Sequence, residues 1–258
     1  MVRFIGWRQG IACVAITAVG SVACRANRVL TTGTSGTTTG TAMTPASAST
    51  TSGAGGMGAG GMAPVDPCSP FVGSVVSVDY GPEAGFGQAE MPNVVMGPPK
   101  GGGAWEGSLD VVKLGKGGSI TLAFGDQTIV DLPGPDFIVF ANPFYINGDP
   151  TNPYAEVGTV SVSEDGQTWV SFPCTATSYP YGACAGWHAV YANADTNTID
   201  PRDPSVAGGD AFDLADIGVK QARFIRITDR NIPPGAFDLD AIAIVKDASG
   251  SHATCSAK

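Results

Sequence analysis

The chain has 258 residues and is acidic, with 23 Asp and Glu against 14 Lys and Arg. All 23 acids lie between Asp66 and Asp247, and 10 of the basic residues lie in the same C-terminal part, from about residue 65 onward. This part, called the body below, has a formal charge of −13, which disfavours binding to nucleic acid or anionic lipid.

The first 24 residues predict an export signal. Arg3 and Arg8 give it a positive start, and a short apolar run follows from Ile11 to Val19, too short for a membrane anchor. The sequence Ser21-Val22-Ala23-Cys24 resembles a bacterial lipobox, although Ser21 stands where Leu is usual. We therefore expect lipidation at Cys24 and a place at the cell surface or outer membrane; a secreted protein cleaved near Ala23 is the alternative.

The cysteines predict two disulfides. Loss of Cys13 with the signal and acylation of Cys24 leave an even number of cysteines in an oxidising compartment. Of the three pairings, we favour the one in which Cys174 with Cys184 closes a nine-residue loop and Cys68 with Cys255 ties the ends of the body together.

Residues 24–64 predict a disordered tether that follows the signal peptide of residues 1–23. The segment is rich in Thr, Ser, Gly and Ala and too poor in apolar side chains to repay the entropy of ordering. A flexible coil of roughly 40 residues has a reach of about 35 Å, which would hold a domain away from a membrane surface.

Residues 65–258 predict one all-β domain, a two-sheet sandwich of about nine short strands. Apolar residues alternate with a period of two, no helical stripe persists, and Gly, Pro, Asp and Asn clusters break the runs. The predicted strands are Ser74 to Val78, Leu109 to Leu114, Ser119 to Phe124, Asp136 to Phe140, Thr159 to Ser163, Thr168 to Phe172, Trp187 to Tyr191, Ala222 to Thr228 and Phe237 to Val245.

The best-marked hairpin joins Val160 to Ser163 with Thr168 to Phe172. The turn between them carries Asp165-Gly166, a strong hairpin signal because Gly adopts a positive φ freely and Asp tolerates it. We expect Trp169, in the second strand, to pack inside the domain.

The ordered motifs resemble those of galactose-binding-like, or discoidin-like, jelly-roll domains. The resemblance rests on Ser163 to Trp169, which reads Ser-x-Asp-Gly-x-x-Trp, and on Ala222 to Thr228. A group of bacterial cell-surface proteins has this module, with segments similar to Leu114 to Leu122, Gly134 to Phe140 and Phe237 to Ala241. The resemblance implies a jelly roll on the cell surface, often with a structural calcium and sometimes with a glycan site at one end, and it implies no reaction.

Three acids predict a calcium site. Strict alternation places Asp238 and Asp240 on one face with Ile242 and Ile244, and Asp136 on one face with Ile138 and Phe140. Unpaired carboxylates on inward faces would each cost several kcal/mol, so their convergence would require a cation, and hard oxygen ligands favour calcium. The alternative is that Asp136 and Asp238 are turn residues that cap backbone amides.

A second acidic segment offers further ligands. It contains Asp200, Asp203, Asp210, Asp213 and Asp216, whose spacing does not match an EF-hand loop, and a solvated loop is the simpler interpretation. Asp210 and Asp213 are the two residues of this segment that we predict as extra metal ligands.

Aromatic residues in and beside the Cys174 to Cys184 loop predict a sugar site. Tyr179, Tyr181, Trp187 and His188 are the predicted ligand-binding residues, because aromatic faces stack on pyranose rings and polar edges bind hydroxyls. The alternative is that Trp187 belongs to a strand and fills the core.

The sequence therefore predicts a binding module that is not an enzyme. Gly-x-Ser-x-Gly, a phosphate-binding loop and a metal-binding His pair are all absent from the sequence. The expected partners are a membrane, through the lipid, and an extracellular glycan or surface protein. The alternatives are a purely structural surface or adhesion module without a small ligand, and a carboxylate-dependent glycoside hydrolase.

Overall fold

A computed structural model gives the structure of the protein and describes residues 68–246. The predicted signal peptide, the tether and the lipidation site Cys24 lie outside the described residues. The pairing of Cys68 with Cys255 involves a residue outside them and stays a prediction.

The described part of the chain is all-β, as predicted. Its only helices are short 3₁₀ turns, at Gln88–Glu90, Asn93–Val95, Ile146–Gly148 and Leu214–Ile217. Its strands are β1 (Ser74–Asp79), β2 (Val112–Lys113), β3 (Ser119–Ala123), β4 (Ile129–Val130), β5 (Phe137–Ala141), β6 (Phe144–Tyr145), β7 (Pro153–Tyr154), β8 (Gly158–Ser163), β9 (Val170–Ser171), β10 (Asp210–Phe212), β11 (Gln221–Ala222), β12 (Phe224–Asp229) and β13 (Asp238–Ile244).

Two antiparallel sheets form the framework. The five-stranded sheet has the order β1-β3-β12-β8-β9, and the four-stranded sheet has the order β10-β5-β13-β2. One hydrophobic cluster takes side chains from both sheets, so the sheets pack face to face. Ile120, Leu122 and Phe124 are all buried in it, as their alternation predicts. Phe137 stacks on Phe212 with ring centroids 5.3 Å apart.

A third layer covers the outer face of the four-stranded sheet. Residues 172–209, between β9 and β10, contain no strand. Val190, Ala192 and Ala207 of this covering segment pack on Ile138 and Phe140 in a second hydrophobic cluster. Because both faces of β5 are covered, all five of its residues are buried. The predicted strand from Trp187 to Tyr191 is wrong: only an isolated bridge between Val190 and Gly208 forms there.

Glycine lets the covering segment return close to the sheet. Gly209 has a φ of 74°, and a Cβ at this position would lie 2.8 Å from the Phe140 ring and from the Val139 carbonyl oxygen. A larger residue would strain the backbone and separate the segment from β5.

A β-bulge in β13 changes the predicted alternation. Leu239 pairs with Ala141, yet Ala241 pairs with Phe140, so Asp240 is an extra residue in the ladder. Leu239, Ile242 and Ile244 face the main core, whereas Ala241 faces the covering segment. The prediction that Asp238 and Asp240 share a face with Ile242 and Ile244 is therefore wrong, because it assumed an unbroken strand.

The predicted hairpin forms between β8 and β9, with Val162 opposite Val170. Asp165 stabilises its turn by accepting hydrogen bonds from the Gln167 and Thr168 amides, both 2.8 Å long. The expectation that Trp169 packs inside is wrong. Its ring is half-buried and lies over the guanidinium of Arg226, whose Cζ is 3.8 Å from the ring centroid.

Candidate functional site

The disulfide between Cys174 and Cys184 confirms the predicted pair, with Cα atoms 4.5 Å apart. Both cysteines are buried, and with Ala155 and Val157 they form a small core separate from the two larger ones. The disulfide thus anchors a short loop against the edge of the domain, beside the predicted aromatic residues.

The structure brings the four predicted ligand-binding residues together around Trp187. The rings of Tyr179 and Tyr181 have centroids 5.9 and 6.2 Å from that of Trp187, and His188 lies 3.6 Å from it. The indole nitrogen of Trp187 donates a 2.9 Å hydrogen bond to the Cys184 carbonyl, which fixes the ring. Tyr181 and Trp187 also pack on the small core, so they fill space as well as offering a surface.

Asp210, predicted as a metal ligand, instead orients this aromatic cluster. Its Oδ1 lies 2.8 Å from Nδ1 of His188, and its Oδ2 accepts hydrogen bonds from the Gly186 and Trp187 amides at 2.6 and 3.3 Å. Burial raises the pKa of Asp210, while these three partners favour its charged form. The arrangement leaves Nε2 of His188 without a hydrogen-bond partner within residues 68–246.

A pocket of about 250 Å³ opens beside these residues. Its lining includes Phe172, Trp187, His188, Asp210, Phe212 and Asp216. The pocket is smaller than the roughly 300–1,000 Å³ typical of sites for drug-sized ligands, so it suits one ring rather than an extended chain. Tyr179 and Tyr181 contact Trp187 and do not line the pocket. Its chemistry combines an aromatic wall, an imidazole nitrogen and the exposed carboxylate of Asp216.

Asp136 and Asp213, two of the predicted metal ligands, lie together, and Asp131 joins them. One carboxylate oxygen from each lies within 4.8 Å of the other two. Asp136 accepts hydrogen bonds from the amides of Leu132 and Leu214, at 2.9 and 2.8 Å. Burial raises the pKa of Asp136, and the negative charges of Asp213 and Asp131 raise it further.

The three carboxylates fit a calcium ion in spacing and in chemistry, but each already has a partner. Asp131 is 2.6 Å from the Lys220 ammonium, and Asp213 accepts a hydrogen bond from the Ala215 amide. Three oxygens are also fewer than the six to eight that calcium takes, so backbone carbonyls or water would have to complete the shell. The alternative prediction, that Asp136 caps backbone amides, describes its two hydrogen bonds correctly.

Asp238 and Asp240 lie at the opposite end of β13 from Asp136. The strands are antiparallel, so Leu239 pairs with Ala141 at the end of β5, whereas Ile244 pairs with Phe137, next to Asp136. Asp240 is buried, and its Oδ2 accepts a 2.9 Å hydrogen bond from the Lys100 amide. Burial raises the pKa of Asp240 well above its ordinary value. Among the described residues, neither acid belongs to a group of three possible metal ligands.

Asp238 forms a carboxyl pair with Glu156, a residue that the sequence analysis did not identify. Oδ1 of Asp238 is buried and has no hydrogen-bond partner in the described part of the chain, and its Oδ2 is 3.5 Å from the Asn142 amide nitrogen. The Lys113 ammonium lies 3.7 Å from Oε1 of Glu156. Burial, followed by the charge of Asp238, raises the pKa of Glu156 to about 7. Burial and the neighbouring charge therefore favour the protonated form of Glu156 below neutral pH.

Sequence reasoning also missed Asp229, the last residue of β12. Its Oδ1 accepts a hydrogen bond from the Phe237 amide at 2.8 Å, and its Oδ2 accepts from the Gly117 and Asn231 amides at 2.8 and 2.7 Å. The alternation along β12 indicated that Asp229 is buried, because this residue continues the inward face of Ile225 and Ile227. No such signal exists for Glu156 or Asp131, which reach their partners through long-range contacts.

A second groove of about 570 Å³ lies beside the hairpin and contains none of the predicted site residues. Its acids are engaged: Glu164 bonds to Gln221, and hydrogen bonds from the turn amides lower the pKa of Asp165 to about 2. The two acids of the groove are therefore already hydrogen-bonded within the protein, which makes the groove a weaker candidate for a polar binding site.

Within residues 68–246, no helix has the length and hydropathy needed to span a membrane. Comparisons with models of protein families, with curated proteins and with solved structures found no match to this chain.

Proposed function

We propose that the body is a non-catalytic cell-surface binding module of the galactose-binding-like jelly-roll type, and that it binds a glycan in the pocket beside the Cys174–Cys184 loop. The single observation that carries the proposal is the position of Trp187. Its ring is fixed by the Cys184 carbonyl and stands in the pocket wall next to His188.

The chemistry of the pocket matches one sugar ring. An indole face stacks on the apolar face of a pyranose, and Nε2 of His188 can donate or accept a hydrogen bond at the ring edge. The tie to Asp210 keeps the imidazole oriented, so little side-chain freedom is lost on binding.

Replacing Trp187 with alanine is expected to weaken glycan binding by about 2 kcal/mol, or roughly thirtyfold, as for a central aromatic contact. The measurement is retention on a polysaccharide array, followed by titration of the best ligand. Trp105→Ala is the matched control, because Trp105 is 74 % exposed and lies outside this pocket.

Two results would contradict the glycan proposal. If the unmodified protein retains no glycan, the structural or adhesion module without a small ligand becomes the better interpretation. If Trp105→Ala weakens binding as much as Trp187→Ala, the pocket is not the site.

The glycoside hydrolase alternative needs two available carboxylates. Asp210 and Asp216 both line the pocket, but Asp210 is buried and engaged by three hydrogen-bonding partners. This favours orientation of His188 over acid–base chemistry. Release of shortened oligosaccharides by the protein, and its loss in Asp216→Asn, would instead support the enzyme.

Calcium belongs to the proposal as a stabilising ion at Asp131, Asp136 and Asp213. The close approach of three carboxylates supports it, since a cation would offset their mutual repulsion. We expect chelation with EDTA to lower the melting temperature and calcium to restore it, because an ion that binds only the folded state stabilises it. Asp213→Asn should remove most of this difference, while Asp126→Asn, an exposed site, should keep it. Identical melting curves with and without EDTA would contradict the metal.

Export and lipid anchoring at Cys24 complete the proposal and rest on residues 1–24 alone. The mass of the mature N-terminus tests them, since an unmodified Cys24 or an uncleaved leader would contradict them.

A further inference from the structure

We propose that the outer face of the five-stranded sheet holds a second binding site, formed by Arg226 and Trp169, for the carboxylate of a singly charged sugar. The site goes beyond the glycan pocket of the proposed function and shares no lining residue with it.

Arg226 occupies the centre of this face. It lies in β12, the middle strand, between Ile225 and Ile227, which are fully buried, so its side chain leaves the core. The strand register places hydroxyl residues on both sides of it. Thr121 and Ser161 are its direct neighbours, and Ser77 and Ser171 extend the row to the outer strands.

The guanidinium of Arg226 is held in place by two contacts, yet only one of its three nitrogens is hydrogen-bonded within the described residues. Its Nε donates a 3.2 Å hydrogen bond to Oγ1 of Thr121, and Trp169 stacks on it. Its two terminal nitrogens have no hydrogen-bond partner among residues 68–246, and neither is buried. A rigid pair of outward N–H donors therefore remains available to a ligand.

Arg226 is one of three arginines that form no ion pair within residues 68–246. Of the other two, Arg223 donates to the Gly125 carbonyl and Arg230 to Sγ of Cys174, whereas neither terminal nitrogen of Arg226 is bonded to a described residue. Six other described cations, Lys100, Lys113, Lys116, Arg202, Lys220 and Lys246, each form an ion pair with an acid. Arg226 forms none within the described residues, although acids outnumber bases in the body. The hairpin acids Glu164 and Asp165 are engaged by Gln221 and by the turn amides.

The geometry favours a carboxylate with hydroxyl groups around it. A guanidinium binds a carboxylate through two parallel N–H bonds, and stacking on an aromatic ring reduces the freedom lost when those bonds form. Thr121 and Ser161 are buried and bonded to Arg226 and Ser171, so the hydroxyls open to a sugar are those of the exposed Ser77 and Ser171 at the ends of the row. The formal charge of −13 on the body opposes a polyanion, so the fitting ligand carries one carboxylate on an otherwise neutral sugar.

The test compares two sugars that differ only in the carboxylate, methyl glucuronide and methyl glucoside. Both are titrated into the full exported protein, and NMR follows the Arg226 Nε–H and the Trp169 indole N–H. We expect saturable shifts at millimolar methyl glucuronide and at least tenfold weaker binding of methyl glucoside, because a charge-assisted bond is lost.

Arg226→Met keeps the packed stem below Trp169 and removes the donors, so it should weaken methyl glucuronide binding at least tenfold. Arg223→Met, at a neighbouring exposed arginine, should leave it unchanged. If Arg226→Met does not fold, Arg226→Lys keeps the charge without the paired donors and should also lose binding. Equal affinity for both sugars, no saturable shift, or full binding by the folded Arg226 variant would overturn the proposal.

Discussion

Replacing Asp229 with alanine is expected to lower the free energy of unfolding by about 3–5 kcal/mol. This buried carboxylate accepts three backbone hydrogen bonds, and the donors belong to different parts of the fold. Gly117 lies in the turn before β3, Asn231 follows β12, and Phe237 leads into β13. Without the carboxylate, these amides lose their acceptor, and that of Phe237 has no access to water.

Chemical denaturation and calorimetry measure this effect. For a domain of this size, the expected loss corresponds to a fall in melting temperature of roughly 10 °C. Asp126→Ala, at an exposed site, is the control and should change the free energy of unfolding by less than about 0.5 kcal/mol. Asp229→Asn keeps one acceptor oxygen and should fall between the two. A change below about 1 kcal/mol for Asp229→Ala would mean that water replaces the carboxylate without cost.

The second large effect is a pH dependence of the free energy of unfolding, which originates at Glu156. Its pKa rises from 4.5 to about 7 on folding, because burial and the neighbouring Asp238 disfavour its ionised form. Between these two values the unfolded chain loses the proton first, so stability is lost as the pH rises from about 4.5 to 7 and then levels off. A shift of this size corresponds to about 3 kcal/mol.

Glu156→Gln removes this titration and offers an amide donor to the carboxylate of Asp238. We expect the variant to match the original protein near pH 4.5 and to exceed its stability by about 2 kcal/mol at pH 8, since part of the gain is offset by the unpaired Lys113. Glu106→Gln, at an exposed glutamate, is the control and should leave the pH profile unchanged. Parallel stability profiles for the Glu156 variant and the original protein would contradict the raised pKa of Glu156.

The sequence predicted the all-β class and the main sheet strands because their alternation reflects burial on one face. Two predictions that the structure confirms in this way are the strand from Ser119 to Phe124 and the hairpin at Asp165-Gly166. The sequence located β5 to within one residue although both faces of that strand are buried, and it failed where a bulge interrupts the alternation, as at Asp240. Strands of two or three residues, such as β4 and β10, are too short to carry a pattern.

The aromatic cluster was predictable because its four members lie within ten residues of one another, two in the Cys174–Cys184 loop and two just after it. The role of Asp210 was not, because it depends on the covering segment returning to β5 through Gly208 and Gly209. The acids of the predicted calcium site were chosen by sequence position, whereas Asp131 meets Asp136 and Asp213 only in three dimensions.

The residues proposed to bind the glycan and the residues that form the two sheets lie in different segments of the chain. Trp187 and His188 belong to residues 172–209, which contribute no strand to either sheet, while the ladders and the main core lie beneath them. Diversifying the exposed positions of this segment should therefore change the surface around the proposed glycan pocket at little cost to folding, as in engineered scaffolds whose loops are randomised on an unchanged framework. Gly208, Gly209 and Asp210 are the positions that such a library would have to keep.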